Sequence, residues 1–232
     1  MVNRMISFLL FFFVLSLSNE SVAAGAKLPM QNNWTYFDKN SNEVLRSYDS
    51  EFLPSSAWSI KNGCVHLESQ GFGSDLMTKQ KYEEFEMEFD WKLSRGGNSG
   101  ILFAVQTSEV YSYMGGLEIQ LLDDVHSPDG KNTITSLGAL YGLYEPISEA
   151  KAKLKLRKMN SGHLVVTKGR AQFFVNDILI GDYSLLPKDI TSKIKGSKFQ
   201  NIPSFYKQRA GHVLIQDHGG KASFCNVRIR PL

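Results

Sequence analysis

Residues 85–93, Phe-Glu-Met-Glu-Phe-Asp-Trp-Lys-Leu, restrict the possible folds most strongly. Large apolar side chains occupy every odd position and charged side chains every even position. An extended chain places alternate residues on opposite faces, whereas a helix would spread these apolar groups around its circumference. The segment is therefore predicted to be a strand with one buried face and one solvated face.

Further strand-like segments follow at intervals marked by turn-forming residues. Asn62 and Gly63 separate two short candidate strands, and a glycine-rich turn at residues 94–100 precedes the apolar segment 101–105. Candidate strands also cover residues 162–167, 172–181 (a pair joined at Asn176 and Asp177), 211–220 and 224–229, and residues 185–198 are interpreted as a linking segment. Many strands with hardly a helix predict an all-β fold, a jelly-roll β-sandwich.

The N-terminus has the three parts of a secretory signal peptide. Arg4 is followed by the apolar residues 6–17 and then by small and polar residues up to residue 26. The apolar stretch is too short to span a bilayer comfortably, so no stable membrane anchor is expected. We therefore predict a signal peptide at residues 1–26, a single domain at residues 27–232, and export to the periplasm or the medium.

Overall charge gives no support for a nucleic-acid partner. The net charge is only +3, and the local basic segment 151–158 alternates its charges with leucines and carries no aromatic residues. This segment is interpreted as a solvated face. The sequence makes no prediction of the oligomeric state.

Two cysteines, Cys64 and Cys225, lie far apart in the chain. Export would permit a disulfide bond. Strand alternation argues against one, because Cys225 shares its parity with Val227 and Ile229, whereas Cys64 has the parity opposite to its apolar neighbours. The spacing of the two cysteines does not support a zinc site.

Residues 115–124 carry the main candidate site. Leu117, Ile119 and Leu121 share one face of a predicted strand, so Glu118 and Gln120 share the other, about 7 Å apart. A carboxylate and an amide on an open sheet surface are suited to sugar binding or cleavage. The alternative is that both are ordinary solvated residues.

The unit at residues 211–220, whose strand ends in three polar residues, offers candidate partners for this pair. Gln216 and His218 share the face opposite Val213 and Ile215, whereas Asp217 is directed towards the core by parity. In a jelly roll the face opposite the core is expected to be exposed and to form a groove. Glu118, Gln120, Gln216 and His218 all belong to faces of this kind.

The loop after residue 122 contains a second polar group of residues. A metal could be held by Asp123, Asp124, His126 and Asp129, but their spacing fits no calcium loop, and Asp also simply forms turns. No cofactor is predicted, and a divalent metal is left open. Tyr141 and Tyr144 near the next turn are candidates for stacking on sugar faces or for core packing.

A series of motifs in a fixed order resembles a known family. The motifs are Asp75-Leu76-Met77-Thr78-Lys79, residues 85–93, Gly97-Asn98-Ser99-Gly100-Ile101, Glu118-Ile119-Gln120-Leu121-Leu122-Asp123, Gly138-Ala139-Leu140-Tyr141, Ser197-Lys198-Phe199, Gly211-His212 and Gln216-Asp217-His218-Gly219. Together they resemble the 3-keto-disaccharide hydrolase domain family over nearly all of the chain after residue 26. The resemblance implies a concanavalin A-like jelly roll of the lectin and glucanase type.

The resemblance also implies a substrate and a mechanism. The expected substrate is a 3-keto-sugar glycoside, whose ketone acidifies the C2 proton so that the aglycone can leave by elimination, after which water adds. Glu118 and His218 are then the catalytic candidates for proton transfer.

Substrate-binding roles are expected at six further residues. Sugar hydroxyls would be held by Asn98, Gln120 and Gln216, with Asp123 as a further substrate contact. Lys198 would stabilise a developing enolate, and Asp217 would orient His218 or the loop.

Three other functions remain open from the sequence. A non-catalytic carbohydrate-binding module needs only amide, carboxylate and aromatic side chains on a sheet surface. A pure interaction domain does not need these sugar-binding side chains. In a conventional retaining jelly-roll glucanase, Glu118 and Asp123 would be nucleophile and acid, but an amide stands at Gln120 where such enzymes are expected to carry a middle carboxylate. The glucanase is therefore the third choice.

Overall fold

A computed structural model describes residues 33–68, 73–147 and 154–232. The predicted signal peptide at residues 1–26 lies outside these ranges. In the part of the chain that is described, no helix is long and apolar enough to cross a membrane.

The described chain is built mainly from strands. The strands are β1 (Thr35–Tyr36), β2 (Leu45–Ser47), β3 (Trp58–Lys61), β4 (Cys64–Leu67), β5 (Leu76–Tyr82), β6 (Phe85–Leu93), β7 (Asn98–Val105), β8 (Leu117–Leu122), β9 (Asn160–Thr167), β10 (Arg170–Val175), β11 (Ile178–Ser184), β12 (Gly211–Ile215) and β13 (Ala222–Pro231). The helices are α1 (Ser41–Val44) and α2 (Pro187–Lys195), and short 3₁₀ turns cover Ser112–Met114, Pro128–Lys131 and Thr133–Thr135.

The strands form two antiparallel sheets. The eight-stranded sheet has the order β11-β10-β9-β6-β13-β4-β3, with β1 also paired to β13, and the five-stranded sheet has the order β2-β5-β12-β7-β8. Apolar side chains from both sheets form one buried cluster between them. The predicted all-β jelly-roll sandwich is confirmed.

The alternating segment that restricted the fold becomes β6, between β9 and β13 in the eight-stranded sheet. Phe85, Met87, Phe89 and Trp91 are each 3% exposed or less, whereas the charged residues between them are only partly buried. The period-two pattern thus predicted both the strand and its buried face correctly.

The structure corrects the expectation for the cysteines, because Cys64 and Cys225 form a disulfide bond. They face each other directly in the β4–β13 pair. The register of β13 shifts after Cys225, and Asn226 has a φ of 53°. This bulge inserts one residue, so Cys225 and Val227 lie on opposite faces and the parity argument fails.

A second correction concerns residues 185–198, which contain helix α2 rather than only a linking segment. Pro187 occupies the first turn, where a missing N–H costs nothing. Ile190 is buried and Ile194 packs against the core cluster one turn later. One buried residue and one partly buried residue in nine are too few to produce a recognisable helical period in the sequence.

Candidate active site

A cavity of about 440 Å³ lies on the face of the five-stranded sheet that is turned away from the core. It brings together seven of the eight residues predicted for the site, namely Asn98, Glu118, Gln120, Lys198, Gln216, Asp217 and His218. The eighth, Asp123, is not among the residues that line it. Strand parity predicted the shared faces of Glu118 with Gln120 and of Gln216 with His218, but it directed Asp217 towards the core, and the structure instead places Asp217 in the lining of the cavity.

Glu118 lies against the backbone of the neighbouring strand. Gly100 on β7 is beside β8, and a Cβ atom placed there would lie 2.9 Å from Cγ of Glu118. Only glycine leaves room for the carboxylate to lie across β7. The last glycine of the glycine-rich segment, Gly100, therefore makes room for the Glu118 side chain, in addition to the role of this segment in a turn.

The polar face of β8 is buried, in contrast to the open surface predicted from the sequence. Glu118 is 8% exposed and Gln120 is 1% exposed. The following loop pairs with the free edge of β8: Gly138 N–H donates to the Gln120 carbonyl at 2.8 Å, and Tyr141 N–H donates to the Glu118 carbonyl at 2.9 Å. The loop thereby brings Tyr141 to the cavity wall, whereas Tyr144 packs against Tyr183.

Burial raises the pKa of Glu118 to about 8, although the charge of Lys198 acts in the opposite direction. The negative charges of Asp75 and Asp129 raise this pKa further. A carboxyl group that titrates near neutral pH can both accept and donate a proton under physiological conditions. Glu118 therefore has the protonation chemistry expected of a general acid or base.

Lys198 brings a cation to the same cavity. Its Nζ lies 4.2 Å from the centroid of the Tyr141 ring, and desolvation lowers its pKa while the charges of Glu118 and Asp129 raise it. Gly142, with a φ of 69°, allows the Tyr141 turn to pack against Lys198 and Phe199. An ammonium group beside a base can stabilise negative charge that develops on a bound molecule.

Three amide side chains line the cavity with unused acceptors. Within the described residues, the buried side-chain oxygens of Asn98, Gln120 and Gln216 accept no hydrogen bond. The nitrogens of the first two donate within the protein, to Asp129 at 3.3 Å and to the Thr135 carbonyl at 3.1 Å. A buried acceptor without a donor costs about 1–3 kcal/mol, and three in one cavity are suited to a ligand rich in hydroxyl groups.

His218 and Asp217 follow β12 at the other side of the cavity. His218 is exposed, whereas Asp217 is 4% exposed and accepts hydrogen bonds from the N–H groups of Gly219 at 3.0 Å and Ser74 at 3.4 Å. The carboxylate thus holds the turn that carries His218. This arrangement agrees with a positioning role for Asp217, and both residues line the cavity.

Sequence reasoning gave no role to Asp75, which also lines the cavity. It is 4% exposed, and burial is the largest of the effects that raise its pKa. Its carboxyl group accepts hydrogen bonds from the Asp217 N–H at 2.8 Å and from the Ser112 hydroxyl. Asp75 opens the motif before β5, so its place in the motif series was the available signal.

Asp123 stabilises a turn next to the cavity. Burial opposes its ionisation, but hydrogen bonds from the Gly96 N–H at 2.9 Å and from His126 at 2.9 Å together lower its pKa. Asp124 accepts from the Leu137 N–H at 2.8 Å. Asp129 bonds to Asn98 instead. Asp123 and His126 are therefore paired with each other, whereas Asp124 and Asp129 are directed to separate partners.

We expect the carboxyl carbon of Glu118 to titrate with an inflection near pH 8 in a ¹³C NMR experiment on glutamate-labelled protein. Lys198→Met should move this inflection to higher pH, because the ammonium group favours the carboxylate. Lys193→Met is the matched control, since Lys193 lies over the Tyr144 ring at 4.7 Å. An inflection near pH 4.5 in the wild-type protein would contradict the assignment.

Comparison with known proteins identifies relatives of similar length. A 3-keto-disaccharide hydrolase of Bacteroides thetaiotaomicron is 29% identical over 228 residues, which cover 85% of this chain and 78% of the relative. A crystal structure of a candidate glycosyl hydrolase from Parabacteroides distasonis superimposes with a TM-score of 0.74 at 23% identity, covering 86% of this chain and 94% of the other. A second structure described in the same way, also from P. distasonis, gives a TM-score of 0.63 at 21% identity, covering 87% and 100%.

A family model provides the decisive match. The model of the 3-keto-alpha-glucoside-1,2-lyase-like domain matches residues 31–230. This match includes both sheets except for Pro231, the last residue of β13, and it includes every residue that lines the cavity. The resemblance inferred from the ordered motifs is confirmed, and the chain belongs to the 3-keto-alpha-glucoside-1,2-lyase-like domain family.

Proposed function

We propose that this protein is an enzyme that cleaves the glycosidic bond of 3-keto-glycosides. The observation that carries the proposal is the position of Glu118, a buried carboxyl group with a pKa of about 8, beside unpaired amide oxygens in one cavity. Such a group is suited to removing a weakly acidic proton from a bound sugar. The name of the B. thetaiotaomicron relative and the family description support the same substrate class.

The proposed reaction begins at C2 of the sugar, next to the C3 ketone. The Glu118 carboxylate takes the C2 proton, and the C–H electron pair forms an enolate whose charge is on the C3 oxygen. The enolate then expels the aglycone oxygen from C1 with the electron pair of the C1–O bond, which leaves a C1–C2 double bond conjugated with the ketone. Addition of water across this double bond gives the free 3-keto-sugar.

Each group in the cavity has a role in this scheme. Lys198 would stabilise the enolate oxygen, and His218 would give a proton to the departing aglycone oxygen. Asn98, Gln120 and Gln216 would accept hydrogen bonds from the sugar hydroxyls. The single carboxylate of the mechanism removes the need for the paired carboxylates of a conventional glucanase.

The test is incubation of the purified protein with a 3-keto-glucoside and with its unoxidised parent, following release of the aglycone. Release from the keto form alone is expected. Tight binding of both sugars without release would instead favour a carbohydrate-binding module, and release from the parent would favour a conventional glucanase. Transient absorbance of the conjugated enone, with incorporation of solvent deuterium at C2, distinguishes elimination and hydration from direct hydrolysis, which leaves the C2–H bond intact.

Gly100→Ala should lower kcat/KM on the 3-keto-glucoside roughly 100-fold, because the new methyl group forces Glu118 away from β7. Gly220→Ala is the matched control, since a Cβ atom there would meet its nearest neighbour, the Ser94 hydroxyl, at 3.6 Å. The measurement is steady-state kinetics beside thermal unfolding of both variants. Full activity in a folded Gly100→Ala protein would contradict the placement of Glu118.

We further propose that residues 1–26 direct export to the periplasm or the medium. The disulfide between Cys64 and Cys225 supports this proposal, because such bonds persist in oxidising compartments. N-terminal sequencing of the protein recovered after cell fractionation tests it. A first residue near position 25 or 27 in the exported fraction is expected, and an intact N-terminus in the cytosol would contradict the proposal.

A further inference from the structure

The loop between β7 and β8 exposes several large apolar side chains at the mouth of the cavity. Val110 is 80% exposed, Tyr111 is 55% exposed and Tyr113 is 37% exposed, and all three line the cavity. Exposed apolar groups that cluster beside a polar cavity commonly mark a surface used for binding. Nothing in the proposed proton transfers uses them.

This loop is held firmly in spite of its exposed side chains. The Tyr48 hydroxyl donates to the Glu109 carbonyl at 2.8 Å, and the Gln106 side chain donates to the Ala210 carbonyl at 2.9 Å. The Ser112 hydroxyl donates to the buried carboxyl group of Asp75. Because each contact fixes the loop to a different part of the sheet, the apolar side chains form a preorganised surface.

Tyr111 and Tyr113, with Val110 beside them, form an aromatic platform that lines the mouth of the cavity. Their rings stack with centroids 5.6 Å apart and an angle of 11° between the planes. Nζ of Lys198 lies 5.9 Å from the Tyr113 centroid and 4.2 Å from the Tyr141 centroid. Lys198 therefore connects the aromatic platform with the wall beside Glu118.

The cavity has a buried end and an exposed end. Gln120, Glu118 and Gln216 are between 1% and 8% exposed and form a polar floor, whereas the platform is open to solvent. The floor can enclose one sugar ring with its hydroxyls, and the aglycone must then extend towards the open end. The base acts at C2, so the group that leaves the adjacent C1 extends from the buried floor towards the platform at the open end of the cavity.

We propose that Val110, Tyr111 and Tyr113 form an aglycone subsite that selects 3-keto-glycosides with a flat aromatic aglycone. The inference rests on the proposed function. Together the three residues offer one apolar side chain and two stacked rings, and the polar groups of their side chains are the two phenol hydroxyls. An aryl group gains from offset stacking on such a surface, whereas a second sugar ring needs partners for several hydroxyls.

The experiment compares two substrates that have the same leaving-group chemistry, ethyl and 2-phenylethyl 3-keto-glucoside. Both release a primary alcohol, so a difference in kcat/KM reports contact with the phenyl ring. We expect wild-type protein to favour the phenylethyl substrate by about 2- to 12-fold, the range given by aromatic stacking. Tyr111→Ala should reduce this ratio to near one. Phe52→Ala, which removes an exposed aromatic group that does not line the cavity, should keep it.

A wild-type ratio near one, or a ratio that persists in Tyr111→Ala, would overturn the subsite. Cleavage of neither substrate would overturn the proposed function instead. In that case calorimetry on the wild type, Tyr111→Ala and Phe52→Ala gives the dissociation constants of the two compounds. The wild type and Phe52→Ala should prefer the phenylethyl compound, and the ratio in Tyr111→Ala should be near one. A larger preference for a 3-keto-disaccharide than for the phenylethyl substrate would also count against an aryl-selective site.

Discussion

Glu118→Gln is expected to lower kcat on a 3-keto-glucoside by about 10²–10⁴-fold, the range observed when a general acid or base is removed. Glutamine has nearly the same shape as glutamic acid but cannot accept the C2 proton. Because Glu118 lies against Gly100 and beneath the Tyr141 turn, the variant should retain its backbone contacts and still bind the sugar. Stopped-flow measurement of enolate or enone formation with the keto substrate gives the direct readout.

Glu43→Gln is the matched control, because Glu43 is an exposed carboxylate on α1. It should leave kcat unchanged. The rate of the wild-type protein should rise with pH as Glu118 ionises around pH 8, and this rise should be missing from the residual rate of Glu118→Gln. Unchanged cleavage by a folded Glu118→Gln protein would remove this residue from the mechanism.

The same substitution should stabilise the protein at alkaline pH. The pKa of Glu118 is about 8 in the folded state against an ordinary value of 4.5. A raised pKa means that the folded state binds the proton more tightly, so its stabilising effect is complete below pH 4.5 and is lost as the pH rises towards 8. Glutamine cannot ionise, so the free energy of unfolding of Glu118→Gln should exceed that of the wild type by up to about 5 kcal/mol at pH 9 in urea unfolding.

This stability gain and the loss of activity have one cause. Desolvation makes the carboxylate costly for the folded protein, and the same desolvation makes it a stronger base towards a bound sugar. If the wild type and Glu118→Gln have equal free energies of unfolding at pH 9 as well as at pH 4, the raised pKa of Glu118 is contradicted. The result does not depend on having the right substrate, so it separates the electrostatics of the site from the proposed reaction.

Strand parity predicted the shared face of Glu118 and Gln120, because alternation within one strand is a local property. The burial of that face was not predictable in the same way. It results from the loop at residues 138–141, which bonds to the edge of β8, and from the anchored loop between β7 and β8. These contacts depend on loop conformations that leave no periodic pattern in the sequence.

The cysteines show how local parity can fail. Regular strand alternation from Val227 assigns Cys225 to the core face. The bulge at Asn226 adds one residue and reverses this assignment. A positive φ at an asparagine is accessible without a sequence motif that stands out. The long separation of the two cysteines therefore gave no indication of their direct pairing across β4 and β13.

Cys64→Ala combined with Cys225→Ala should lower the free energy of unfolding by about 3–5 kcal/mol. The bond closes a loop across a sequence separation of 161 residues, and chain-entropy reasoning gives about 5 kcal/mol for a loop of this size, less any strain in the folded state. Urea unfolding under non-reducing conditions measures the difference. Reducing agent should bring the wild type close to the double variant and should leave the variant itself unchanged.

The effect on activity should be small as long as the double variant remains folded. The disulfide joins β4 to β13 in the eight-stranded sheet, whereas the cavity is formed on the outer face of the five-stranded sheet and by its loops. A lower free energy of unfolding with an unchanged kcat, measured below the unfolding transition, would show that the disulfide in the eight-stranded sheet does not affect catalysis at the five-stranded sheet. A parallel loss of kcat at low temperature would show instead that packing across the core transmits the change to Glu118.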